Sequence, residues 1–161
     1  MQNAITAAAE ALLALCREKK LTLATAESCT GGSIGAAITA VPGASECYPG
    51  GVISYANEVK QALLGVREET LARFGAVSSE TALQMAEGAR ALLHSDLAVA
   101  VTGIAGPGGG TAEKPVGLVW FGLATRDGVR AEKAIFRGDR ERVRAQAVTH
   151  ALGMLTVAAM G

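Results

Sequence analysis

Aromatic residues are scarce in this chain, at 4% of 161 positions, and no single sign of charge predominates. Fifteen basic and fifteen acidic side chains cancel. The chain therefore carries no overall field of the kind that draws a protein onto nucleic acid or an anionic membrane. Its three cysteines, Cys16, Cys47 and Cys29, form no CxxC pair and no Cys/His ligand spacing. That odd, scattered set fits free thiols in a reducing compartment better than a disulfide framework or a zinc site. Long apolar runs are also missing. The uncharged stretch 28–45 is broken by Gly, Ser, Thr and Pro, and 145–161 contains Gln146, Thr149 and His150, so neither reads as a membrane span. Glu10 interrupts the first apolar stretch and no basic segment precedes it, which argues against a secretory signal and leaves the cytoplasm as the expected location.

What is present is half hydrophobic, chiefly Ala, Val, Leu and Gly, with 19% charged residues. That balance describes a folded domain rather than a disordered chain, and the length suits a single domain over 1–161. Helical spacing recurs over 3–19, 33–38, 58–64, 67–74, from Ser78 or Ser79 to His94, and over 140–159 behind Asp139. Asn57 is expected to cap the helix at 58–64. The inner face of the fifth helix is read as Leu83, Ala86, Ala89, Ala91, Leu92 and Leu93. Short β-like runs fall at 21–25, 51–55 and 97–102. Residues 116–125 and 130–137 alternate around Asp127-Gly128, a two-residue hairpin signal. The order predicts an α/β fold with three α/β/α layers and a mixed, mainly parallel sheet.

Two glycine-rich loops follow strands, at 28–32 and 103–111, and in such sheets ligands bind beyond the carboxyl ends of the strands. Neither loop is a Walker A loop or a dinucleotide GxGxxG. The turn Ala26-Glu27-Ser28-Cys29-Thr30-Gly31-Gly32 brings a carboxylate, two hydroxyls and a thiol to a helix start. Free N–H groups there make it a candidate anion site, or else a capped helix start. No Ser-His-Asp reading is available, since His94 ends a helix and His150 lies inside one. Ser28 also lacks the G-x-S-x-G elbow. A serine nucleophile then needs another base, and Lys60, with Tyr55 near it, is the candidate if burial lowers its pKa. Lys60 is otherwise a solvated helix lysine. Cys29 competes as nucleophile because a helix start favours a thiolate, and is otherwise a small buried hydrophobe. Arg140 and Arg144 share a helix face and form a possible anion clamp, among arginines that mostly read as a solvated face.

Six ordered segments carry a resemblance: 26–32 (AESCTGG), 55–60 (YANEVK), 75–78 (GAVS), 102–107 (TGIAGP), 114–117 (KPVG) and 138–140 (GDR). Together they resemble the CinA C-terminal-domain family, the nicotinamide-nucleotide amidases, over nearly the whole chain. The resemblance implies hydrolysis of the carboxamide of nicotinamide mononucleotide to nicotinic acid mononucleotide and ammonia, with no metal and no cofactor. It implies Ser28 as nucleophile with Lys60 and Tyr55 as base and proton relay. Thr102, Gly103 and Gly106 then join Glu27, Thr30, Gly31 and Gly32 as substrate or oxyanion contacts. Arg140 or Arg144 holds the phosphate, undecided between the two. Main-chain N–H groups around Gly31 and Gly103 are the expected oxyanion donors, and Glu27 orients either Lys60 or a helix start.

The competing reading is a non-catalytic nucleotide-binding module of the same fold. A metal-dependent phosphate hydrolase ranks lower, because the carboxylates are scattered. The expected partner is a small nucleotide, with no nucleic acid or membrane. The Ala/Val-rich last helix suggests a homo-oligomer.

Overall fold

A computed structural model describes residues Met1–Gly161. In chain order the elements are α1 (Gln2–Lys19), β1 (Leu23–Glu27), α2 (Ser33–Thr39), β2 (Gly50–Ile53), α3 (Asn57–Leu64), α4 (Glu68–Phe74), α5 (Ser79–Leu93), β3 (Leu97–Gly103), β4 (Leu118–Thr125), β5 (Gly128–Ile135) and α6 (Arg140–Met160). A single 3₁₀ turn lies at Ala44–Glu46. The strands form one sheet in the order β2-β1-β3-β4-β5. β1 pairs in parallel with β2 and β3, whereas β3–β4 and β4–β5 are antiparallel. Four strands therefore run one way and only β4 is reversed. No helix is long and apolar enough to cross a membrane.

The three layers follow from alternation along the central strands. Leu23, Leu97, Val99, Val101 and Phe121 face α1, α2 and α6, where Leu12, Leu13, Ile34, Ile38, Leu152 and Leu155 complete the larger core. The intervening positions Ala24, Ala26, Ala98 and Ala100 face α3 and α5 and meet Leu64, Met85, Ala86 and Ala89. Each fully buried large apolar side chain contributes about 1.5–3 kcal/mol. The small residues on the second face let α5 lie close to the sheet. A Cβ on Gly122 would collide with the Ala82 carbonyl, and one on Gly88 with the Leu64 carbonyl where α5 crosses α3.

Most boundaries fall within two residues of the sequence reading, and two caps match it. Ser78 Oγ accepts from Thr81 N at 3.2 Å, and Asp139 Oδ1 accepts from Arg142 N at 3.0 Å. Four details differ. The hairpin loop is Arg126-Asp127 rather than Asp127-Gly128, because Gly128 pairs with Thr125 as the first residue of β5. The second strand ends at Ile53 rather than Tyr55, and the chain then peels off after Ser54 N donates to the Glu27 carbonyl at 2.7 Å. Asn57 is the first helical residue of α3 and does not cap it. The buried face of α5 is Thr81, Ala82, Met85, Ala86 and Ala89, with Ala91 and Leu92 exposed. The apolar residues at its end misled the periodicity.

Candidate active site

The forward strands all end at one rim of the sheet, and the site is assembled there. Ser28 extends β1 by one step, its N–H donating to the Val101 carbonyl at 3.0 Å. The chain then turns sharply. Gly31 N donates back to the Ser28 carbonyl at 3.1 Å, and Gly31 and Gly32 take φ values of 59° and 103°. Side chains rarely adopt that conformation, so these two glycines serve the turn.

Lys60, from the first turn of α3, points into the same spot. Its Nζ lies 3.1 Å from Ser28 Oγ and donates to the main-chain oxygens of Ser54 at 2.7 Å and Tyr55 at 3.2 Å. Lys60 is 1% exposed and belongs to none of the ion pairs in the molecule. Burial without a counter-ion lowers its pKa below the ordinary lysine value, opposed only in part by the neighbouring Cys29. A nearly dry amine against a serine hydroxyl can take a proton from it.

Around this pair lies a cleft of about 220 Å³ lined by Ser28, Cys29, Tyr55, Lys60, Thr102 and Arg140, among others. Thr102, at the end of β3, donates through its hydroxyl to the Ala76 carbonyl at 2.9 Å. Arg140, the first residue of α6, reaches across the mouth. Its Nη1 donates to the Gly106 carbonyl at 2.8 Å, and its Nη2 lies 3.3 Å from the Tyr55 hydroxyl. The Tyr55 ring is largely exposed, so its main-chain oxygen, and not its phenol, is what meets Lys60.

Several residues read from the sequence as substrate contacts are placed differently. The Glu27 carboxylate is buried, accepting from Gly32 N at 3.1 Å, Ile34 N at 2.9 Å and Gly35 N at 2.9 Å. The start of α2 is thus filled by the chain's own carboxylate and is no open anion site, a correction for Glu27 and Gly32 together. Glu27 holds that helix start and does not bond Lys60. Gly31 N is spent on Ser28 and is no free oxyanion donor. The N–H groups of Cys29 and Thr30 donate to no carbonyl of the molecule, so they are the available donors beside Ser28. Gly103 faces Val119 across the ladder, while the next residue, Ile104, donates to Leu118. By the alternation of antiparallel pairs, the Gly103 N–H turns towards the β1 side, beyond the point where β1 ends.

Thr30 is fully buried, and its hydroxyl has no hydrogen-bond partner. Arg144 does not line the cleft. Its guanidinium grips the main chain of the turn, Nε to the Cys29 carbonyl at 3.0 Å and Nη2 to the Thr30 carbonyl at 3.1 Å. The two arginines are separated by position: Arg140 at the mouth, Arg144 behind the turn. Cys29 is buried, and burial first of all pushes its thiol up to about 11, so at neutral pH it is protonated. A main-chain hydrogen bond and the charges of Arg144 and Lys60 favour the thiolate, but burial outweighs them. Sequence reasoning missed Ser54, whose carbonyl anchors Lys60, and Asn57, which lines the cleft. Asn57 lay in the YANEVK segment and read only as a helix cap. No group of three or more His, Cys, Asp or Glu side chains is assembled to hold a metal.

Similarity to known proteins agrees with this architecture. Residues 5–158 match the sequence profile of the CinA C-terminal domain. The chain is 53% identical over 138 residues to a CinA-like protein of Endomicrobium trichonymphae, covering 86% of this chain and 32% of that protein. It is 51% identical over 146 residues to a protein of Thermoanaerobacter pseudethanolicus named for competence-damage induction, covering 91% of this chain and 35% of that one. The chain thus spans about a third of the length of these curated relatives. Among solved structures it superposes on a competence/damage inducible protein, CihA, of Agrobacterium tumefaciens with a TM-score of 0.94, 44% identity and coverage of 98% and 96% of the two chains. A CinA superfamily protein of Klebsiella pneumoniae gives 0.93 at 36% identity, covering 97% of this chain and 98% of that one. By sequence and by fold, the chain belongs to the CinA C-terminal domain family.

Proposed function

We propose that the cleft hydrolyses a carboxamide, with Ser28 as nucleophile and neutral Lys60 as its base. The substrate implied by the family resemblance is nicotinamide mononucleotide, giving nicotinic acid mononucleotide and ammonia. The observation that carries the reading is the buried Lys60 amine, 3.1 Å from Ser28 Oγ and without a carboxylate partner. Such an amine is costly to keep dry, and a purely structural role would be served as well by an apolar residue.

Ser28 Oγ attacks the amide carbon while its proton passes to Lys60 Nζ. The carbonyl oxygen becomes an oxyanion beside the available N–H groups of Cys29 and Thr30, with Gly103 N–H on the facing strand. Lys60 returns the proton to the amide nitrogen as the C–N bond breaks, and ammonia leaves. Water, deprotonated by the same amine, then attacks the acyl-serine, and Ser28 Oγ takes the proton back. The cleft is smaller than the roughly 300–1,000 Å³ of enclosed ligand cavities. It suits an amide-bearing ring, with the ribose phosphate lying over the mouth, where Arg140 supplies the phosphate contact. Tyr55 acts there too, through Arg140.

Purified protein mixed with nicotinamide mononucleotide tests this directly. Ammonia release that disappears in Ser28→Ala supports it. Thermal stabilisation by the nucleotide with no ammonia formed would instead favour the non-catalytic binding module.

A further inference from the structure

We infer that Arg144 is a positioning residue for the oxyanion site, acting through the main chain of the turn and not on the phosphate. The inference rests on the reading of Ser28 as an acyl-transfer nucleophile. Arg144 Nε and Nη2 donate to two consecutive carbonyls, those of Cys29 and Thr30, at 3.0 and 3.1 Å. A planar guanidinium makes that fork in one orientation only, and charge-assisted bonds hold it firmly. Peptide units are planar, with C=O and N–H pointing opposite ways. Fixing the Cys29 carbonyl therefore fixes the direction of the Thr30 N–H, aimed away from Arg144. Fixing the Thr30 carbonyl does the same for the Gly31 N–H, which is the one that bonds the Ser28 carbonyl at 3.1 Å.

The grip has two further consequences. The positive charge at the carbonyl ends polarises both peptide units, making their N–H groups better donors. It also places both carbonyl oxygens behind the turn, so they cannot face a developing oxyanion and repel it. Packing supports the fit, since a Cβ on Gly31 would sit 3.2 Å from Arg144 Nη2. Behind the guanidinium lies a second cavity, about 420 Å³, between α1, α2 and α6. Arg144 is among its lining residues, with Ser33 and Ala37 of α2 and Ile5 of α1. Arg144 is thus the wall between that cavity and the catalytic turn, and the cavity offers an approach for small cations to the place the guanidinium occupies.

The experiment compares the full chain with Arg144→Ala, Arg144→Lys and, as a control, Arg142→Ala, an exposed arginine whose side chain makes no hydrogen bond. Two rates are read. One is ammonia release from nicotinamide mononucleotide. The other is acylation of Ser28 by p-nitrophenyl acetate, followed by nitrophenolate release and by mass spectrometry of the Ser28 peptide. Arg144→Ala is expected to lower kcat and the acylation rate about 100-fold, the scale of losing one oxyanion donor. KM should stay within about threefold, because ground-state contacts are untouched. Arg144→Lys should fall between, and added guanidinium chloride should restore part of the alanine variant's rate while leaving Arg142→Ala unchanged.

An unchanged kcat, or a loss confined to KM, overturns the inference. So does an alanine variant that folds but gains nothing from guanidinium. If Arg144→Ala does not fold, the lysine variant decides by its kcat against KM. Wild type that acylates in an Arg144-dependent way yet releases no ammonia would sink the proposed substrate and leave this inference standing. Ammonia release that does not depend on Arg144 would do the reverse.

Discussion

Lys60 Nζ stands 3.1 Å from Ser28 Oγ, and its other hydrogen-bond acceptors are two main-chain carbonyls, of Ser54 and Tyr55. A carbonyl offers a dipole where a carboxylate would offer a charge. The amine is therefore oriented without a counter-ion to offset the cost of burying its charge. A stability that varies with pH follows and, under the proposed function, so does catalysis by the neutral form.

Activity should rise with pH as Lys60 loses its proton, with a midpoint below the ordinary lysine value because burial lowers its pKa. The same shift fixes the sign for stability. The unfolded chain binds this proton more readily than the folded one, so folding is penalised at low pH. The penalty fades as pH climbs from the lowered folded value towards the unfolded value of about 10.4. Wild type should gain stability relative to Lys60→Met over that window, by at most about 1.4 kcal/mol per pH unit. Urea unfolding of both proteins at pH 7 and 9.5 measures it, and a parallel pH response would exclude a shifted lysine.

Cys29→Ala should keep ammonia release within about threefold of wild type, since a thiol held near 11 is no nucleophile at neutral pH. Ser28→Ala should lose at least about 1,000-fold, the scale of removing a nucleophile that works with its base. Steady-state rates of the two variants side by side decide between the adjacent residues.

Removal of the Glu27 carboxylate strips three N–H donors of their acceptor at the start of α2. Glu27→Ala should cost about 2–4 kcal/mol by chemical denaturation, because stranded donors carry their desolvation penalty. A loss of activity with unchanged stability would contradict a capping role.

Arg140→Ala should raise KM for nicotinamide mononucleotide about 10- to 100-fold, the worth of a charged hydrogen bond to phosphate. It should barely affect the phosphate-free riboside. Tyr55→Phe tests the neighbouring contact: its phenol meets Arg140, so KM should move while kcat holds. A fall in kcat alone would restore the phenol as a proton relay.

Gly88→Ala should destabilise the fold by about 1–3 kcal/mol, the usual range for forcing a group into a packed interface. Thermal unfolding of that variant reads the contact between α5 and α3 directly.

The sequence was most legible where local chemistry decides. Asp139 and Ser78 each start a helix through their own side chains, and the Asp-Gly pair announces the hairpin to within one residue of its loop at Arg126-Asp127, so those elements lie close to where spacing puts them. Ser28 and Lys60 were also legible, as residue types whose meeting the structure then displays. Long-range choices were not. Arg140 and Arg144 occupy one helix face four residues apart, and only the three-dimensional path of the turn sends one to the cleft and the other to carbonyls 115 and 114 residues earlier in the chain. Glu27 read as a site residue because a carboxylate beside a helix start has two possible partners, and nothing local shows that it folds back onto its own helix. The inner face of α5 was misjudged because Ala91 and Leu92 are apolar yet exposed, while the threonine at 81 is buried.

The reversed strand β4 has a practical use. Because it runs backwards, its hairpin with β5 closes at the far end of the sheet, and β5 then returns to bring Arg140 and Arg144 to the chemistry. The tip at Arg126-Asp127 is separated from the rim that carries Ser28 by the length of an eight-residue strand, roughly 26 Å. A fluorophore, an affinity handle or an inserted peptide placed there reports on the protein, or tethers it to a support, without entering the cleft around Ser28.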